Sequence, residues 1–246
     1  MTTRLRAAVL LRCYTIQGSW NYRTMIGTGF AFALLPVLRL IYGDDTVALR
    51  RAAHRHAQLF NSHPYIAPLA VGAVARLEQD GESVEVIERF KLAVRGSLGS
   101  LGDRLIWAGW RPVCLLLALS AYFMGASGWL AAVLFLVLYN VVHVGLRTWS
   151  FRVGFAAGKT VGERLRASRV VPAQRALNVL GLFVCGLILP LAATAQPLDT
   201  MLDARWSLGA IAAVIAGVSL GAAARRTFAL FLVLFAIGGL LIGLVE

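Results

Sequence analysis

Apolar and charged positions divide the chain into two regimes. Residues 112–146 contain no Asp, Glu, Lys or Arg, an uninterrupted run of 35 residues. As one helix this run would be about 52 Å long, against a bilayer core of about 30 Å. The stretch MGASGW at 124–129 breaks the pattern with two glycines and a serine. A hairpin of two membrane helices turning there is the prediction, with one or both of them re-entrant. Further uncharged runs follow at 176–198, where Pro190 and Pro197 mark the far end, and at 206–224 and 227–245. Each is long enough to span with little tilt. Arg225-Arg226 leaves only a tight turn between the last two.

The first 111 residues follow another pattern. Residues 25–38 are apolar, cut short by Pro36 and Arg39. Residues 46–60 predict an amphipathic helix, with Leu49, Ala52, Ala53, His56, Leu59 and Phe60 on one side and Arg50, Arg51, Arg55 and Gln58 mostly elsewhere. Asp44-Asp45-Thr46 supplies its cap. It ends at NSHPY, where Pro64 forces His63 out of the helical region. Residues 78–91 are the most soluble-looking part of the chain. In GSLGSLGD, glycines 96, 99 and 102 recur every third residue and lead into Asp103. Two readings stand: a broken helix lining a polar site, or an interfacial loop. Bare backbone at membrane depth needs protein or a cavity to satisfy it. The division is thus an N-terminal part, 1–111, with amphipathic and Gly-rich re-entrant segments, and a transmembrane helix bundle, 112–246.

Composition gives the class. Hydrophobic residues make up 59% of the 246 and charged residues 15%. An all-α integral membrane protein is expected, with several transmembrane helices, broken or re-entrant segments and an amphipathic N-terminal part. The net charge is +12, almost all of it from Arg. A basic balance can mean nucleic acid, but no basic segment here carries interleaved stacking aromatics. Cytoplasmic loops and anionic lipid explain it better. Residues 147–175 hold seven basic residues and one acid, Glu163, which predicts a cytoplasmic loop. The link 199–205 is net negative and should lie outside, Arg225-Arg226 inside and Glu246 outside, with the Arg-rich first half cytoplasmic. The N-terminal MTTRLRAAVLL is basic, but its apolar run is too short for a signal-peptide core.

Candidate chemistry is sparse. The three cysteines, Cys13, Cys114 and Cys185, are widely spaced, and no Cys/His ligand cluster exists, so no metal or cofactor is expected. GFAAGKT at 154–160 imitates a phosphate loop, but only three residues separate Gly154 from Gly158 where four are needed. Gly154, Gly158 and Gly162 fit close helix packing instead. His54 and His56, two apart on a helix, point different ways. His143 lies near the edge of an uncharged span, four residues before Arg147. No nucleophile and base form a recognisable pair, so no catalytic residue is expected.

Five blocks in order carry a resemblance. They are QGSWNY followed by GFAFALLP, HAQLFNSHPY at 56–65, GSLGSLGDRLIWAGWRPV at 96–113, LFLVLYNVVHVGLRTWSFRVGFAAGK at 134–159 and LNVLGLFVCG at 177–186. Together they resemble the IID subunits of the mannose/fructose/sorbose family of sugar phosphotransferase permeases. The resemblance implies a multi-pass protein of the cell (inner) membrane that pairs with a IIC subunit, as an oligomer of IIC–IID pairs. Soluble IIA and IIB proteins would pass phosphate to the incoming sugar, with no phosphorylated residue and no cofactor on this chain. It implies broken helices and re-entrant hairpins that move as an elevator. It also implies sugar ligands among Gln58, Asn61 and His63, with Asp103 on the facing hairpin and Gln17 and Asn21 in the first block. Amides and carboxylates suit sugar hydroxyls, and aromatic faces suit sugar C–H surfaces. Gln58 and Asn61 can equally be read as capping a helix end. The chain departs from the family pattern at Gln58, where a Glu is usual, at Arg23-Thr24, where Glu-Arg is usual, and in carrying Arg95 and Arg104. Two other functions stay open: a transport-impaired regulatory or scaffolding relic of such a complex, and an unrelated membrane binding protein.

Overall fold

A computed structural model describes residues 1–194. The uncharged runs at 206–224 and 227–245, the link 199–205, Arg225-Arg226 and Glu246 lie outside the described residues. The chain divides into two compact units. One holds Met1–Leu115 with Ala132–Val179; the other holds Leu116–Ala131 and, among the described residues, 180–194. Among the described residues the only strand-like pairings are two isolated bridges, and the rest of the regular structure is helical.

In the first unit, α1 (Thr3–Cys13) begins where the Thr2 hydroxyl accepts from the Leu5 amide, and it buries Val9 and Cys13. The apolar run expected to stop near Pro36 continues as α2 (Gly27–Tyr42), with Pro36 inside it. Proline removes one rung, at about 3 kcal/mol. Phe30, Ala33, Leu34, Val37 and Leu38, all fully buried, outweigh that loss, since each large apolar side chain contributes about 1.5–3 kcal/mol. The amphipathic helix forms as α3 (Thr46–His56), and the Asp45 carboxylate accepts from the amides of Val47 (3.1 Å) and Ala48 (2.9 Å). It stops before residue 60 because Phe60 pairs elsewhere. The Phe60 amide donates to the Thr24 carbonyl, and the Phe60 carbonyl accepts from the Ile26 amide, both at 3.2 Å.

The centre of this unit is α4 (Ala67–Gln79), which the hydrophobic pattern did not single out. Eleven of its 13 residues are buried. Small residues let neighbours approach closely: at Gly72 an added Cβ would overlap the Phe151 carbonyl oxygen, and at Gly154 the Leu69 carbonyl oxygen. Gly154 thus serves helix packing, as its spacing predicts.

The Gly-rich stretch is neither a break nor a loop. It lies in α5 (Val84–Gly102), which continues through a π-helical segment, Asp103–Trp110, into α6 (Arg111–Phe123). Glycine inside a helix costs about 1 kcal/mol relative to alanine. The helix persists because residues 61–63 pack against Gly99 and Gly102. The turn at 124–127 falls where MGASGW predicts it and leads to α7 (Gly128–Ala157). The expected loop at 147–175 is a second correction. α7 runs to Ala157, a short 3-10 turn spans Gly158–Thr160, and α8 (Val161–Arg166) and α9 (Val170–Thr194) follow. Its first charge, Arg147, is 3% exposed.

The helical runs Val84–Phe123, of 40 residues, and Gly128–Arg166, of 39, are long and apolar enough to cross a membrane. At 1.5 Å per residue each is roughly 60 Å long, so part of each extends beyond a hydrocarbon core of about 30 Å.

Candidate functional site

The first polar block is a turn that holds itself together. The Asn21 side-chain oxygen accepts from the amides of Arg23 (3.0 Å) and Thr24 (2.9 Å). Its amide nitrogen donates to the Ser19 carbonyl (3.1 Å) and the Thr24 hydroxyl (2.8 Å). All four contacts are local, so Asn21 shapes the turn. Gln17 is exposed. Trp20 and Tyr22 meet edge to face at 4.8 Å and are 45% and 85% exposed, which leaves two aromatic faces open. The Thr24–Ile26 pairing with Phe60 fastens this turn to the second block.

The second block begins in a buried charged group. His56 Nε2 lies 2.7 Å from Glu78, the Arg55 guanidinium donates to the same carboxylate at 2.5 Å, and the Tyr42 hydroxyl donates to it at 3.2 Å. Lys91 Nζ donates to the Arg55 carbonyl at 3.1 Å. Burial pushes His56 down to about 4, so the neutral ring donates from Nε2. Burial works against the Glu78 charge, but the hydrogen bonds from His56 and Arg55 prevail and hold its carboxyl at about 2. This group ties α2, α3, α4 and α5 together, and its polar atoms are turned inward.

Beyond the end of α3 the candidate ligands diverge. Gln58 is exposed and donates to the His54 carbonyl at 3.1 Å. It borders a shallow cleft of about 280 Å³ with Arg55, Glu88, Lys91 and Arg95. Asn61 is exposed. Since α3 ends at His56, Gln58 and Asn61 do not share a helical face. His63 turns inward and is 1% exposed. Its Nδ1 accepts from the Tyr65 amide at 3.2 Å, and its ring meets Trp107 edge to face at 4.8 Å. Burial, joined by the Arg147 and His143 charges, lowers His63 to about 4. The proton then sits on Nε2, which has no hydrogen-bond partner among the described residues. At Gly102 an added Cβ would overlap the His63 imidazole. Asp103, the next residue, is exposed. The fold therefore brings the segments of Asn61, His63 and Asp103 together. Gln58 sits in the basic cleft, and Gln17 and Asn21 remain in the first turn.

Sequence reasoning missed an aromatic cluster beside His63. Tyr139, His143 and Arg147 recur every four residues, on one face of α7. Tyr65 stacks on His143 at 4.0 Å, and its hydroxyl lies 2.8 Å from that of Tyr139. The Arg147 guanidinium lies 4.9 Å from the Tyr65 ring centre and 5.1 Å from that of Tyr14, and it donates to the Cys13 carbonyl. No carboxylate pairs with it among the described residues. Two tyrosine faces and a carbonyl stabilise this cation instead. The spacing was visible in the sequence; its partner, Tyr65, was not. Chemically, the region offers aromatic faces, tyrosine hydroxyls and a buried imidazole N–H, with exposed Asn61 and Asp103 on the adjoining segments, a set of hydrogen-bond donors and acceptors suited to polyhydroxylated ligands.

Comparisons with known proteins agree with the five blocks. The family described as "PTS system mannose/fructose/sorbose family IID component" matches residues 1–239. The chain is 30% identical over 183 residues to the PTS system mannose-specific EIID component of Escherichia coli strain K12, covering 72% of this chain and 64% of that protein. It is 29% identical to the sorbose-specific EIID component of Lacticaseibacillus casei, over 70% of this chain and 62% of that one. The chain thus spans a little under two thirds of the length of these relatives. Among solved structures it is similar to a chain of the mannose transporter ManYZ in complex with a microcin, with a TM-score of 0.61, 28% identity and coverage of 77% and 70% of the two chains. A second, described as a membrane protein, gives a TM-score of 0.68 at 28% identity, over 76% of this chain and 70% of that one. The matched residues, the ordered motif blocks and the all-helical membrane fold give one conclusion: the chain belongs to the IID components of the mannose/fructose/sorbose family of the phosphotransferase system.

Proposed function

We propose that this chain forms, with a IIC subunit, the translocation unit of a mannose-family sugar permease, with oligomers of IIC–IID pairs as the working assembly. Uptake of a hexose or related sugar is coupled to its phosphorylation by soluble IIA and IIB proteins. The observation that carries this reading is the meeting of three separately encoded polar blocks in one unit. Phe60 pairs with Thr24 and Ile26, and residues 61–63 pack on Gly99 and Gly102. In this reading Asn61 and Asp103 contact sugar hydroxyls and His63 contributes its free N–H through a small rearrangement. Gln58, Gln17 and Asn21 border the path, Asn21 by shaping the turn that presents Trp20 and Tyr22.

The protein is proposed to be multi-pass in the cell (inner) membrane. Six basic residues against Glu163 between 152 and 175 support a cytoplasmic side for that segment. The Lys159–Glu82 ion pair at 2.5 Å supports the same side for the α4–α5 turn. Co-purification with a IIC chain, followed by sugar-binding calorimetry, tests the reading. A stable complex that binds sugar supports it. A complex that assembles but binds no sugar would favour a regulatory role, and failure to assemble would exclude a IIC partner.

A further inference from the structure

A cleft of about 420 Å³ opens between α1 and α7, away from the sugar-site residues, lined by Thr3, Arg6, Leu10, Phe151, Arg152 and Phe155 among others. The two helices run antiparallel there: Arg6 lies over the Phe155 ring at 4.7 Å, while Cys13 accepts from Arg147. The floor is apolar, with Phe151 and Phe155 buried. The rim is basic. Arg6 and Arg152 are both exposed, and neither makes an ion pair or a side-chain hydrogen bond among the described residues. Two unneutralised guanidiniums beside an apolar floor, near the end of a membrane-crossing helix, match one occupant in both parts. Acyl carbon packs on Leu10 and the two phenylalanines, and a phosphate accepts from the guanidiniums.

We propose that this cleft binds an anionic phospholipid of the cytoplasmic leaflet, with its phosphate held between Arg6 and Arg152. Both arginines lie toward the end of α7 that continues into Lys159 and the basic segment beyond. Basic pockets between helices on the cytoplasmic side recruit anionic headgroups, each basic residue adding roughly a fivefold preference. Carbon and charge must act together, so a soluble phosphate does not substitute for the lipid.

The test is native mass spectrometry of the full chain in mild detergent, with any subunit that co-purifies, titrated with phosphatidylglycerol. The wild type should bind phosphatidylglycerol well ahead of phosphatidylethanolamine, and millimolar inorganic phosphate should not displace it. The double variant R6Q/R152Q should bind roughly thirtyfold more weakly. Arg4→Gln, at an exposed position outside the cleft, should bind as wild type does. The charge-retaining Arg6→Lys/Arg152→Lys should stay within a few-fold of wild type, which separates lost charge from lost structure. Because Arg152 is exposed, R152Q alone should fold normally and still lose about fivefold. Equal binding by wild type and R152Q, equal uptake of phosphatidylethanolamine, displacement by phosphate, or an equal loss in Arg4→Gln would each overturn the proposal. The readout requires neither sugar binding nor a IIC chain, so its failure is distinct from failure of the transport reading.

Discussion

A methyl group at Gly102 would occupy space taken by the His63 imidazole. Gly102→Ala should therefore cost about 1–3 kcal/mol, read as a drop of several degrees in the thermal midpoint in detergent. In a His63→Ala background the same substitution should be close to neutral; an equal loss in both backgrounds would show that the two residues do not compete. The Glu78 group gives a pH dependence. His56 sits at about 4, below its ordinary 6.5, so the unfolded chain takes up a proton first and stability falls as pH drops from about 6.5 toward 4. Glu78 sits at about 2, below its ordinary 4.5, so its contribution is present above about 4.5 and is lost as pH falls toward 2. Both act in the same direction. Melting midpoints measured from pH 7 to pH 4 should decline steadily, and a flat profile would contradict the assignment. Glu78→Gln should cost about 3–5 kcal/mol at pH 7, because the largely buried Arg55 loses its anion. At this scale, legibility followed distance along the chain. The Asp45 cap was readable because its acceptors and donors are neighbours. The burial of His63 was not, because it depends on Gly102.

Elements were legible where their causes were local. MGASGW marked the turn before α7 correctly, and Thr46 opened α3. The end of α3 was misplaced because pairing of Phe60 with Thr24 and Ile26 leaves no trace in a 3.6-residue period. The Gly-rich stretch looked like a break or a loop because the compensating surface, residues 61–63, comes from another part of the chain. α7 looked shorter than it is because Arg147 resembles a loop charge until Tyr14 and Tyr65 are found around it. The α4–α7 crossing supplies the test at this scale. Gly154→Ala places a carbon on the Leu69 carbonyl oxygen, and backbone cannot rotate away, so α4 and α7 must separate. A loss of about 2 kcal/mol or more is expected, read as a lower melting midpoint and faster proteolysis. Gly145→Ala, on the same helix but facing open space, should be neutral or slightly stabilising. Equal losses at both sites would show that glycine matters there for reasons other than the crossing.

For the whole molecule, class and family were both readable from sequence, since composition set the first and five ordered blocks the second. Packing around the candidate residues was only partly readable: the segment of Asn61 and His63 lies against Gly99 and Gly102, just before Asp103, whereas Gln58 borders a cleft with Arg55, Lys91 and Arg95. Orientation can be checked by thiol labelling of Ala167→Cys in a background where exposed Cys185 is replaced by Ser. Reagent should reach Ala167→Cys only after lysis; labelling in intact cells would reverse the topology. The central claim, that this chain binds sugar as the IID half of a permease, is tested most directly by calorimetry on a co-purified IIC–IID complex and its Asn61→Ala variant. The unmodified complex should bind a hexose of the mannose, fructose or sorbose type, and Asn61→Ala should assemble normally with binding weakened at least tenfold. A well-assembled complex that binds no such sugar, or an Asn61→Ala complex that binds as tightly as the parent, would contradict it.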